Sequence, residues 1–125
     1  MADYTPVQAL GGGPFTSQAS GTIVGGDAVV ASGSGTVAAS GAAGAAVGIA
    51  AHDAVTGQKV AVWPLKAVHE TVAGVGGATF GQPLKVGATA GVLIPWVSGT
   101  DTVPTWVGTA LTTATATNIL RWVGR

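Results

Sequence analysis

The sequence contains no cysteine, which excludes both a disulfide framework and a thiolate metal site. Charge is scarce as well: Lys, Arg, Asp and Glu make up 8% of the 125 residues, against about 25% in an ordinary soluble domain. Five basic and five acidic residues balance to a formal net charge of zero. Nothing in that balance favours nucleic acid or an anionic membrane surface as a partner. Long apolar runs are missing too. The longest stretch of small apolar residues, GAAGAAVGIAA from Gly41 to Ala51, falls well short of the 18 or so residues that a spanning helix needs. The N-terminus, MADYTPVQALGGGPF, has neither the basic n-region nor the apolar h-region of a secretory signal.

The shortage of charge has a consequence for the surface. A folded chain of 12.0 kDa exposes roughly 6,000 Å². Its few charged side chains then leave one charge per roughly 600 Å², near the largest apolar patch a monomer ordinarily tolerates. Such a surface is covered either by Thr, Ser and Gly or by other subunits, and the apolar fraction of 47% favours subunits. Twenty-one glycines and six prolines hint at low complexity. A mean hydropathy of +0.51, however, is opposite to that of a disordered chain.

Short β-prone runs recur along the chain: Gly21–Val24, Ala28–Ala31, Thr36–Ala39, Val47–Ala51, Lys59–Leu65, Ala67–Ala73, Pro83–Val86, Val92–Val97, Trp106–Thr113 and Ile119–Val123. Between them stand the turn signals SGSG (32–35), TG (56–57), GVGG (74–77), GATAG (87–91) and SGTD (98–101). Turns at intervals of roughly 8 to 12 residues predict an all-β fold, a small β-barrel or β-sandwich. By propensity the Ala-rich run near residue 45 also suits a helix, but its interleaved glycines argue for strand.

The runs also repeat. Val47-Gly48-Ile49-Ala50 aligns with Val107-Gly108-Thr109-Ala110 at a separation of 60, and the same shift sets Lys59-Val60-Ala61-Val62-Trp63 on Ile119-Leu120-Arg121-Trp122-Val123. Val60 and Val62 match Leu120 and Trp122 in parity, so both copies point equivalent side chains at a core. Upstream, Gly26-Asp27-Ala28-Val29 corresponds to Gly81-Gln82-Pro83-Leu84 at a separation of 55, so about five residues are added within the second copy. The expected architecture is a degenerate two-copy β-motif in a single domain over residues 20–125, preceded by an extended N-terminal arm over residues 1–19.

The pattern G-D-x-V-V…G-T-V…V-G-I-A-x-x-D-A…G-x-x-V-x-V is carried by Gly26, Asp27, Val29, Val30, Gly35, Thr36, Val37, Val47, Gly48, Ile49, Ala50, Asp53, Ala54, Gly57, Val60 and Val62. It resembles the decoration, or cement, proteins of tailed-phage capsids. The second copy departs from it, with Gln82-Pro83 in place of Gly-Asp style spacing and a Thr-rich TALTTATATN loop. The resemblance implies a non-enzymatic virion protein on the outer surface of the capsid. Its partners would be the major capsid protein and further copies of itself, as a homotrimer, and it would stabilise the shell. Neither nucleic acid nor membrane is implied as a partner, and no cofactor.

Little in the chain points to catalysis. His52-Asp53 and His69-Glu70 offer four donors for a zinc-assisted hydrolase. The plainer reading puts Asp53 in a turn after the V-G-I-A strand, bonded to its own backbone. Gly74-Val75-Gly76-Gly77 has no following Lys and no helix, so it is a turn rather than a phosphate cradle. There is no G-x-S-x-G elbow, and no catalytic, cofactor or metal residue is assigned.

The aromatic residues are better candidates for recognition. Trp63 and Trp122 fall in strands and read as core. Trp96 and Trp106 flank the Ser98–Asp101 loop between Pro95 and Pro104, a setting that holds them near a surface. The N-terminal stretch places Tyr4, Pro6, Val7, Leu10 and Phe15 around Gly11-Gly12-Gly13, which suits an arm that orders on contact. The expected capsid or subunit interface is therefore Tyr4, Pro6, Val7, Leu10, Phe15, Trp96 and Trp106. The alternative is a carbohydrate-binding β-module that stacks sugars on Trp96 and Trp106. Against it stands a single asparagine for bonding hydroxyls.

Overall fold

Alternation of apolar and small polar residues between glycine turns produces short antiparallel strands, and here they close on themselves twice. The computed structural model describes residues 3–10 and 12–125, and these contain β-strands and one short 3-10 helix. The first barrel is formed by β2 (Phe15–Ala19), β3 (Ala28–Gly33), β4 (Thr36–Ala39), β5 (Ala46–Ala50) and β6 (Lys59–Pro64), closed in the order β2-β4-β3-β5-β6. The second uses β7 (Ala67–Ala73), β8 (Pro83–Val86), β9 (Val92–Pro95), β10 (Gly108–Ala110) and β11 (Ile119–Gly124). Its order is β7-β11-β10-β8-β9, and pairing of β9 with β7 closes the ring. A two-residue strand, β1 (Gln8–Ala9), pairs antiparallel with the start of β7 at Ala67 and Val68.

The two rings share one topology. In each, the first and third strands run parallel, β2 with β4 and β7 with β9, and the other pairings are antiparallel. Registers coincide as well. Gly48, Ile49 and Ala50 face Pro64, Trp63 and Val62 in one ladder, and Gly108, Thr109 and Ala110 face Gly124, Val123 and Trp122 in the other. The turn before β3 is duplicated down to its side chain. Asp27 Oδ2 accepts from the Val24 N–H at 3.0 Å, and Gln82 Oε1 accepts from the Thr79 N–H at 2.7 Å. Gly26 and Gly81 supply the positive φ beside it, +93° and +86°.

Each barrel buries its own core, and the cores match position by position. Ala19, Ile23, Val29, Val37, Ala50, Ala54, Val60 and Val62 fill the first. Ala73, Ala78, Leu84, Leu93, Ala110, Ala114, Leu120 and Trp122 occupy the equivalent places in the second. Burying a Val, Leu or Ile side chain contributes about 1.5–3 kcal/mol, so each barrel carries a hydrophobic core of its own. The cluster around the second core also takes in Ala28, Ala46 and Ile49 from the first barrel. The rings are joined through it without a linker domain, since only Leu65 and Lys66 separate β6 from β7. The exposed area is 6033 Å², as expected for a compact chain of this mass.

The all-β barrel expectation and the duplication are both found, and three local expectations are corrected. Phe15–Ala19 is the first strand of the first barrel, so an arm ending at residue 19 includes part of the body. Its FTSQA sequence has little apolar alternation, and its pairing comes from distant β4 and β6. Gly21–Val24 forms no strand: Ile23 makes an isolated bridge to Ala54. Trp106–Thr113 is strand only over Gly108–Ala110, because Val103–Thr105 is a 3-10 turn that ends on Trp106. The added residues of the second copy lie here: residues 40–45 join β4 to β5, and 96–107 join β9 to β10.

Candidate functional site

The longer β9–β10 connection builds a surface groove. Trp96 follows β9 and Trp106 precedes β10, and their ring centroids stand 6.2 Å apart at an interplanar angle of 36°. Both indoles are held by the loop itself: Trp96 Nε1 donates to the Thr102 carbonyl at 2.9 Å, and Trp106 Nε1 to the Gly108 carbonyl at 2.8 Å. The Arg125 guanidinium lies 5.2 Å from the Trp106 ring centroid, close enough for a cation–π contact. Its Nη1 also donates to the Val103 carbonyl at 2.8 Å. Gly81, Pro83, Val103 and Thr109 complete the groove between the indoles.

An ion pair pins the far side of the same loop. Lys85 Nζ donates to Asp101 Oδ1 at 2.6 Å, and the Val97 N–H donates to Asp101 Oδ2 at 2.7 Å. The bond from Lys85, then that from Val97, holds the Asp101 carboxyl below the usual carboxylate range. The groove is therefore preorganised and mainly apolar, with the Arg125 guanidinium at its edge. With the rings tilted and a guanidinium over one of them, it does not present the flat aromatic pair that sugar stacking favours.

The N-terminal residues are distributed unevenly. Tyr4 is half-buried and Pro6 buried, whereas Val7, Leu10 and Phe15 are exposed. Tyr4 is built into the joint between the barrels: its hydroxyl donates to His69 Nδ1 at 2.6 Å and accepts from the Glu70 N–H at 3.3 Å. Its carbonyl accepts from Trp63 Nε1 at 3.1 Å. Tyr4 and Pro6 thus leave the expected outward interface for internal packing. Gly11 lies outside the described residues, so the expected Gly11–Gly13 hinge is described only in part.

His69 is fully buried. Its Nε2 lies 3.1 Å from the Pro64 and Leu65 carbonyls, which can only accept, so Nε2 carries the proton and Nδ1 accepts from Tyr4. The ring stacks on Trp122 at 4.7 Å. Burial pushes its pKa down, partly offset by the two carbonyls. Burial also pushes the Tyr4 hydroxyl up to about 12. His52 is committed in a similar way: Nδ1 faces the Asp53 carbonyl at 2.9 Å, and Nε2 accepts from the Ala61 N–H at 3.2 Å. Both imidazoles have each ring nitrogen engaged within the chain. Among the described residues, no three of His, Asp and Glu converge in a metal-binding group, so the proposed four-donor zinc set is not assembled.

A second hollow, about 420 Å³, opens at the end of the second barrel beside Val72, Val75, Val92, Ile94 and Thr117. None of its lining residues is titratable, so it offers shape and apolar surface but no chemistry. Composition reasoning did not locate it. It arises where the GVGG turn, the GATAG turn and the Thr-rich loop meet, a meeting set by strand pairing rather than by local pattern. Among the described residues, no helix is long and apolar enough to cross a membrane.

The fold and the groove together define an all-β protein of two tandem five-stranded barrels with preorganised apolar surfaces. It is similar to a solved structure described as the crystal structure of head fiber gp8.5 N base in bacteriophage phi29. The TM-score is 0.66 at 18% sequence identity, over 90% of this chain and 92% of that one. At that identity the likeness is one of fold. No family model matches the chain, and no curated protein sequence matches it.

Proposed function

We propose that this chain is a non-enzymatic structural protein of a bacteriophage virion, associated with the head. The observation that carries the reading is the tandem-barrel fold shared along nearly the whole of both chains with a phage head fiber base. Scarce charge and exposed Val7, Leu10, Phe15, Val75 and Phe80 support it, because a protein pressed against other proteins has apolar contact surface to cover. In its finer form, the chain binds the outer surface of the capsid through the major capsid protein, acts as a homotrimer and stabilises the shell as a decoration protein. Residues Val7, Leu10, Phe15, Trp96 and Trp106 supply the shell and subunit contacts.

The experiment is co-sedimentation of purified protein with expanded heads, together with the resistance of those heads to heat. Bound protein should pellet with the heads and raise the temperature at which they release DNA. If saturating protein neither pellets nor protects, the reading is wrong. Removing the arm wholesale is a poor test, because Tyr4 supports His69 and β2 begins at Phe15. Val7→Ser with Leu10→Ser leaves those contacts intact and should weaken shell binding tenfold or more, about 1.4 kcal/mol. Because the contact is mainly apolar, binding should change little between low and high salt.

A further inference from the structure

The two barrels are duplicates, so a position buried in one and open in the other marks what their mutual contact covers. On the outer wall formed by β3 and β5, Ala28 (1%) and Ile49 (1%) are covered. Ala46, on the same wall, is buried with them in the cluster that includes the second core. Their counterparts are Pro83 on β8, Thr109 on β10 and Trp106 just before β10, which remain partly exposed and line the tryptophan groove. The difference runs the other way for a second set. His69 (0%), Val86 (1%) and Val107 (1%) are buried in the second barrel. Their counterparts Phe15 (42%), Ala31 and Val47 (39%) are exposed in the first.

The first barrel therefore offers its wall to the second, and the second offers Val86 and Val107 in return, with His69 beside them closed by Tyr4 and by the Pro64 and Leu65 carbonyls. Each chain keeps one unused copy of both halves: the wall of the second barrel and the Phe15–Ala31–Val47 surface of the first. We infer that chains associate head to tail, with the Phe15 surface of one copy seated on the Pro83–Trp106–Thr109 wall of the next, repeating between chains the contact that joins the barrels within one. Lys85 beside the wall is neutralised by Asp101, and the Arg125 guanidinium at its edge is held on the Trp106 ring and the Val103 carbonyl. The wall is preorganised by the indole bonds to Thr102 and Gly108. Such a contact is heterologous: it uses two different patches, and it closes into a ring or runs on as a filament according to the rotation per step.

This deepens the self-association in the reading above, but it rests on the internal repeat and not on any shell. The test is solution mass by light scattering over a concentration series, without heads. Wild type should exceed the 12.0 kDa monomer. Phe15→Asp blocks one half and Thr109→Arg the other, so each variant alone should be monomeric. Mixed in equal amounts they retain one good wall and one good Phe15 surface between them, and they should form two-chain complexes and nothing larger. A monomeric wild type, a variant that assembles alone, or a mixture that stays monomeric would each overturn the inference. Thermal melts identify a variant that fails to fold, and Val47→Asp and Val103→Asp then replace it. Loss of head binding with this pattern intact would sink the capsid reading and leave head-to-tail assembly standing.

Discussion

Gly48 and Gly108 occupy the same place in the two barrels. A Cβ at Gly48 would collide with the carbonyl oxygen of Trp63 and the Val62 side chain, and one at Gly108 with the carbonyl oxygen of Val123 and the Trp122 ring. In both, a glycine lets the neighbouring strand's backbone approach at the V-G-x-A step. Gly48→Ala and Gly108→Ala should each destabilise by about 1–3 kcal/mol, the cost of overpacking against backbone that cannot yield. Urea denaturation of the two variants checks this, and an unchanged midpoint in either would contradict the shared role.

Thr117 stands where the first copy has Gly57, and it holds φ at +70° against +89° for the glycine. A left-handed backbone costs an L-residue about 1–2 kcal/mol, and part of this is regained from the glycine's freer unfolded chain. Thr117→Gly should therefore stabilise by about 0.5–1 kcal/mol, and Gly57→Thr should destabilise. Thermal melts of both variants read the sign.

His69 makes stability depend on pH. Its folded pKa lies below the ordinary 6.5, so the unfolded state takes up a proton first. The contribution is complete above 6.5 and declines as pH falls below it toward the depressed folded value. Melting temperature should drop on acidification from pH 7, and His69→Gln should flatten that slope while lowering stability at neutral pH. A slope unchanged in the variant would remove His69 as its cause.

Asp27 works in the opposite sense. Burial, with Asp53 nearby adding to it, raises its carboxyl pKa despite the bond from Val24. The charged form is thus penalised in the fold at neutral pH. Asp27→Asn keeps an acceptor for the Val24 N–H, as Gln82 does for Thr79, and should stabilise the protein at pH 7. The gain should vanish as pH falls through the raised pKa, where wild-type Asp27 becomes neutral too. Asp27→Ala, lacking the acceptor, should cost about 0.5–1.5 kcal/mol.

The sequence by itself determined the strands whose pattern is local. Thr36–Ala39, Ala67–Ala73 and Pro83–Val86 sit where alternation and the flanking glycines put them. It also determined the duplication, because V-G-x-A and the parity of Val60, Val62, Leu120 and Trp122 recur at a fixed separation and record a geometry that each copy must satisfy alone. Closure into two rings was decided only in three dimensions, since it depends on the parallel pairings β2 with β4 and β7 with β9, which local pattern does not encode. The joining of Phe15–Ala19 to the body and of Tyr4 to His69 had the same origin: partners about 65 residues away for Tyr4 leave no periodic trace. Which surfaces stay open was decided there too. Ile49 and Thr109, or Val107 and Val47, are equivalent in the repeat and differ in burial because one barrel lies against the other.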